Sequence, residues 1–171
     1  IPVLGLGVYL SPEGETTAAS VRWAVEAGYR HIDTAAVYGN EASVGEGIQT
    51  CGIPREQLFV TSKLWNDDIR KGRELEAFRE SLKKLGTEYL DLYLIHWPVE
   101  GFMKSWHILE DLYRNGAVRA IGVSNFHKQH LEMLEAEAEI MPMVNQFECH
   151  PYLSQEMLFD TSRKYGMVCE A

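Results

Sequence analysis

The chain has 171 residues, of which 46% are hydrophobic and 24% charged, close to the globular average, so a disordered or collagen-like chain is excluded. Sixteen Lys and Arg stand against 25 Asp and Glu, a net charge of −9, which argues against broad binding to nucleic-acid phosphates or anionic membranes. No apolar run approaches the ~18 residues of a bilayer span, and the odd, scattered set Cys51, Cys149 and Cys169 points to a reducing, cytoplasmic compartment.

Two periods alternate along the chain. Short apolar runs at 3–7, 29–33, 58–63, 90–96, 118–125 and 143–148 read as buried strands, and a seventh starts at Met167. Amphipathic segments lie between them. Ala18, Val21, Ala24 and Val25 mark the face of one helix. Leu75, Phe78, Leu82 and Leu85 mark another, with Glu74, Arg79 and Lys83 set opposite. Gly28, Gly52, Gly86, Gly116 and Gly166 each stand where a helix ends and a strand soon begins, whereas the helix after His127 is followed by Pro142. This repeat of strand, helix and stop is the β-α-β unit, which forces parallel strands. No linker or composition shift interrupts it, so residues 1–171 read as one domain.

The strand ends choose between an open sheet and a barrel. Polar groups close five consecutive strands: Asp33, Lys63, His96, Ser124 with Asn125, and Gln146 with Glu148. Their spacing averages about 28 residues per unit. A doubly wound sheet gathers its site at one switch point, whereas a (β/α)8 barrel collects residues from many strand ends around one mouth. The pattern predicts an α/β TIM barrel. At this spacing 171 residues hold seven strands and six full helices, against ~250 residues for a typical barrel. A chain that begins at Ile1 and stops short of closure is expected to continue elsewhere, or to borrow the missing units from another copy.

The strand tips also suggest a chemistry. Tyr38 follows Asp33 by five residues, so a carboxylate and a phenol can share the mouth. A phenol titrates near ~10. An ammonium beside it, from Lys63, favours the phenolate and lowers that value, while Asp33 neutralises and fixes the lysine. His96 can donate a hydrogen bond to a substrate oxygen. The four make a proton-donating site for a carbonyl. Tyr9, Trp65 and Trp97 follow the first, third and fourth strands, where they can wall a pocket for a small carbonyl compound.

Other motifs carry less. Gly5-Leu6-Gly7 lacks the third glycine of a dinucleotide loop, and Gly45-x-Gly47 falls inside a helix. His127 and His130 read as surface histidines, Glu132, Glu135, Glu137 and Glu139 as a solvated helix face, and Cys149-His150 as neighbours on opposite faces of a strand. No metal site is expected.

Taken together, Asp33-Thr34-Ala35-x-x-Tyr38-Gly39-Asn40-Glu41, Thr61-Ser62-Lys63-Leu64-Trp65, Leu94-Ile95-His96-Trp97-Pro98, Ile121-Gly122-Val123-Ser124-Asn125-Phe126 and Asn145-Gln146-x-Glu148-x-His150-Pro151 resemble the aldo-keto reductase family, in its order and spacing along essentially the whole chain. The resemblance implies a (β/α)8 barrel that reduces aldehydes or ketones to alcohols with NADPH. It makes Tyr38 the general acid, Lys63 the group that lowers its pKa, Asp33 the partner of Lys63, and His96 the residue orienting the carbonyl. It assigns Ser124, Asn125 and Gln146 to the nicotinamide carboxamide, a group that both donates and accepts. Tyr9 stands where members often carry tryptophan. Residues that grip the adenosine side are expected after Ala171, so NADPH itself is implied by the resemblance alone. The resemblance also suggests a monomer for the full-length protein, with a small carbonyl substrate and no nucleic-acid or membrane partner. The alternative is a non-catalytic barrel of the same family serving as a binding or structural subunit, or an inactive fragment.

Overall fold

A computed structural model describes residues 1–171. Seven strands form one parallel sheet in sequence order: β1 (Gly5–Gly7), β2 (His31–Asp33), β3 (Phe59–Leu64), β4 (Leu92–Ile95), β5 (Ile121–Ser124), β6 (Val144–Gln146) and β7 (Val168–Glu170). Six crossovers carry the helices α1 (Glu15–Glu26), α2 (Glu41–Thr50), α4 (Glu74–Leu85), α5 (Phe102–Arg114), α6 (Lys128–Glu137) and α7 (Glu156–Lys164). Strict sequential order with a helix on every crossover is the (β/α)8-barrel arrangement, here with seven of its strands. No helix is long and apolar enough to cross a membrane.

The five predicted helix-stop glycines all take positive φ, and α6 ends instead on an extended Ala138. A short helix that the periodicity did not suggest, α3 (Asn66–Lys71), follows β3. Asp67 and Asp68 in its first turn suit the positive helix start, Arg70 and Lys71 the negative end, and Gly72 closes it at φ 66°. Apart from β3, which keeps six residues, the strands are shorter than the apolar runs. Beyond the ladders the pairing continues as single bridges such as Leu90 to Val118. Cys149 and His150 therefore lie past the end of β6, in a loop rather than on a strand.

Alternation along each strand divides the side chains into two layers. One set packs outward against the helices and forms a core of 29 buried residues centred on Tyr93, Ile95, Trp106 and Val123. The other points to the concave side, where Leu92, Leu94 and Val144 form a small apolar floor. The same side carries Asp33, Thr61 and Lys63, because Asp33 is in register with Thr61 and Lys63 with Leu94.

Two sequence expectations shift at the helix surfaces. On α4 the buried stripe is Glu74, Ala77, Phe78, Ser81 and Leu85, one step around from the predicted one. Leu75 is 45% exposed, while Glu74 is buried, with Oε1 accepting from Ser105 Oγ at 2.7 Å. The α5 hydroxyl supplies what the acid needs to be buried. Likewise His130 is half-buried against Phe126, and its Nδ1 accepts from the His127 N–H at 3.1 Å, capping α6. The glycines of α2 turn out to be packing devices. A Cβ at Gly45 would lie 2.6 Å from the Lys84 carbonyl oxygen, and one at Gly47 2.7 Å from the Val21 Cβ, so α2 approaches α4 and α1 more closely than any side chain permits.

Candidate active site

The carboxyl ends of β2, β3 and β4 deliver Asp33, Lys63 and His96 to the mouth of the sheet. Lys63 is fully buried. Its Nζ donates to Asp33 Oδ1 at 2.6 Å, to the Thr34 carbonyl at 3.0 Å, and to the Tyr38 hydroxyl at 3.4 Å. Three acceptors thus satisfy the three ammonium donors, which is what makes so deep a charge tolerable.

Tyr38 is not on a strand but in a turn of 3-10 helix, Ala36–Tyr38, closed by Gly39 in the left-handed region. Asn40 holds this turn. Its Nδ2 donates to the carbonyls of Val8 and Ser11, and its Oδ1 accepts from Thr34 Oγ1 at 2.8 Å. One buried amide ties the loop bearing Tyr38 to the loop bearing Tyr9, whose rings stand 5.0 Å apart. The sequence offers Asn40 only as part of a motif, and its role follows from contacts to residues about 30 positions away.

The electrostatics depart from expectation at Tyr38. Burial pushes the phenol above its usual 10.0, and this outweighs the downward pull of Lys63, itself offset by Asp33. The phenol is accordingly protonated at neutral pH. His96 is driven down to about 4, first by burial and then by Lys63, so its imidazole is neutral. Its ring stands edge-on to Tyr38 at 5.7 Å and to Trp65 at 5.2 Å, and its Nδ1 is buried without a protein partner. A neutral ring beside a phenol presents a hydrogen-bond donor, not a second cation, to whatever occupies the mouth.

Ser124, Asn125 and Gln146 lie next to this cluster, at the ends of β5 and β6. Asn125 is held at φ 62°, unusual for a side-chain-bearing residue. Its backbone N–H donates to the Gln146 carbonyl at 2.8 Å, and its Nδ2 donates to the His96 carbonyl at 3.1 Å and Ser124 Oγ at 3.0 Å. The strain is thereby secured by bonds to both neighbouring strand ends. Asn125 Oδ1 and Gln146 Oε1 are left without protein donors, beside a Ser124 hydroxyl free to donate, so this set of two acceptors and one donor suits a primary carboxamide.

A cavity of about 990 Å³ joins these groups and is lined by Tyr9, Asp33, Tyr38, His96, Ser124, Asn125, Gln146, Glu148 and Glu170 among others. Of the three predicted wall aromatics, only Tyr9 lines it. Trp65 reaches the site through His96, and Trp97 stays outside the lining, 45% exposed. Two titratable lining residues were not singled out from the sequence. His31 lies behind Asp33 with Nε2 3.0 Å from Thr61 Oγ1, and Glu170 accepts from Gln146 Nε2 at 2.9 Å. The only available signal was a polar residue inside an otherwise apolar strand. Potential ligand atoms of His31, Asp33 and Glu170 lie within 4.8 Å of one another, but the Lys63 ammonium already occupies Asp33 and opposes a cation there.

The chain is similar to known proteins along essentially its whole length. The sequence model of the Aldo/keto reductase family matches residues 4–171. The chain is 51% identical to a glyoxal reductase of Bacillus subtilis, over 100% of the chain and 62% of that relative. Among solved structures it superposes on an aldo/keto reductase from Brucella melitensis with a TM-score of 0.96 and 46% identity, covering 100% of the chain and 66% of that structure. A Bombyx mori aldo-keto reductase in complex with NADP gives 0.92 and 39%, covering 100% and 62%. The chain therefore spans 58–63% of the length of the curated relatives it matches.

Proposed function

From the premise that the chain belongs to the aldo/keto reductase family, we propose that it carries the proton-donating half of an NADPH-dependent reductase of aldehydes or ketones. The observation that carries this reading is the reach of one buried ammonium. Lys63 Nζ touches the Asp33 carboxylate at 2.6 Å and the Tyr38 hydroxyl at 3.4 Å at once.

A bound nicotinamide would supply a hydride to the carbonyl carbon. The chain's own residues handle the oxygen. Tyr38, protonated at neutral pH, donates its proton to the carbonyl oxygen as charge develops there, and the neutral imidazole of His96 donates a hydrogen bond to the same atom. The phenolate left behind faces the Lys63 ammonium, which stabilises it more than the phenol. Asp33 and the Thr34 carbonyl keep that ammonium in place. Ser124, Asn125 and Gln146 hold the carboxamide and so present one face of the ring, the positioning that cofactor chemistry demands of the protein. Tyr9, with Trp65 behind His96, borders the place for a small carbonyl substrate. Residues 1–171 act as one barrel domain of a cytoplasmic protein that works as a monomer, without a nucleic-acid or membrane partner.

The full-length protein, given NADPH and a reactive aromatic aldehyde, is expected to show loss of NADPH absorbance. The Tyr38→Phe variant should lose roughly 10²–10⁴ in turnover, the worth of a general acid, with NADPH affinity within about 3-fold, as expected when only a transition-state interaction is removed. Undiminished turnover in Tyr38→Phe would take the acid role from this residue.

A further inference from the structure

Gln146 has one amide nitrogen facing two acids. Nε2 lies 3.0 Å from Asp33 Oδ2 and 2.9 Å from Glu170 Oε1, so each of its two N–H groups has its own carboxyl partner. Asp33 is bound as a carboxylate by Lys63. Turning the amide over would press the Gln146 carbonyl oxygen against that charge, so the oxygen faces away from both acids.

The contact with Glu170 follows from register, since Gln146 and Glu170 are direct partners across β6 and β7. The Glu170 side chain has no other hydrogen bond. Its Oε2 is buried without a partner. His31 Nε2 stands 3.8 Å from Oε1, and burial lowers the pKa of that imidazole, so it is uncharged at neutral pH. Burial and the charge of Asp33 push the Glu170 carboxyl up to about 7, and Oε1 can accept in either protonation state. A largely buried carboxyl is costly to keep, and the only group it serves is the Gln146 amide.

We propose that Glu170 is a positioning residue that locks the Gln146 amide, so that Gln146 meets the nicotinamide carboxamide as an acceptor and selects its NH2 group over an isosteric methyl ketone. This rests on the nicotinamide-binding reading above. Asp33 alone cannot supply the lock, because one hydrogen bond leaves the amide free to turn about it. With both N–H groups held, Oε1 has one direction left.

The test compares two cofactors on the full-length protein: NADPH and its 3-acetylpyridine analogue, which keeps the carbonyl and replaces NH2 by CH3. Dissociation constants come from quenching of protein fluorescence. The native protein should bind NADPH about 3- to 10-fold more tightly than the analogue, the worth of one hydrogen bond. Glu170→Leu should bring that ratio close to unity, and Glu170→Gln, whose carbonyl oxygen can take the same N–H, should restore it. Glu170→Ser, too short to reach Gln146, supplies the second reading should the leucine variant misfold, and should also give a ratio close to unity. A merely structural role for Glu170 would move both constants together and leave the ratio intact. That result, or a native protein that binds both cofactors equally, overturns the inference. A native protein that binds neither cofactor removes the nicotinamide reading itself, and the inference with it.

Discussion

Replacing Asp33 by leucine would strand the Lys63 ammonium in the interior. Its side chain has 0% exposure, and its remaining neighbours, the Thr34 carbonyl at 3.0 Å and the Tyr38 hydroxyl at 3.4 Å, are neutral. Breaking a buried pair from one side costs about 3–5 kcal/mol, because the surviving charge keeps its desolvation penalty and loses its compensation. For a protein of this size that is a fall of about 6–20 °C in Tm. The exposed pair Arg70–Asp67, at 3.2 Å with both side chains more than half exposed, is the control, and its loss should cost less than about 1 kcal/mol. The double variant Asp33→Leu/Lys63→Met removes both charges and keeps the volume. It should recover most of the stability, to within about 2 kcal/mol of the native protein. Urea denaturation of the native protein, Asp33→Leu, Lys63→Met and the double variant measures the coupling directly. A single Asp33→Leu variant no less stable than the Arg70–Asp67 control, or a double variant as unstable as the sum of its singles, would refute the account of the pair as a compensated buried charge.

Acidification should weaken the fold through His96. Its imidazole takes a proton only near pH 4 in the native protein but near ~6.5 when unfolded. Between those values the unfolded chain binds more protons, so stability drops by about 3 kcal/mol as the pH is lowered across the window. His96→Gln should flatten that part of the stability profile, and an unchanged slope would contradict the assignment. Gly45→Ala ordinarily gains about 1 kcal/mol in a helix, but here the new Cβ meets the Lys84 carbonyl at 2.6 Å, so a loss of about 1–3 kcal/mol is expected in a thermal melt. At the other end of the strands, buried Asp91 accepts from the Val60 N–H at 3.0 Å and pairs with Arg55 at 2.8 Å and Arg119 at 3.0 Å. Asp91→Ala should cost about 3 kcal/mol and leave kcat/KM per folded molecule within about twofold, as the stability face of a barrel predicts. A selective loss of kcat/KM would contradict that division of labour.

Sequence alone determined the parallel β-α repeat, the helix stops and the polar residues that end the strands, because each is written in a local period or a sharp local change. Only the tertiary structure decided how those residues meet. Asp33 and Lys63 are 30 positions apart, and their contact depends on the register of β2 and β3. The direction of the Tyr38 shift depends on how much water neighbouring loops exclude, a balance between burial and the Lys63 charge that no spacing encodes. On α4 the period identified an apolar stripe, but Ser105 from α5 made it possible to bury Glu74 while Leu75 turned outward. Glu170 looked like an ordinary charge in a short strand until β7 lay beside β6 and set it against Gln146. Local sequence specifies which elements form. Desolvation and close approach are properties of distant residues brought together, and they exist only once the chain has folded.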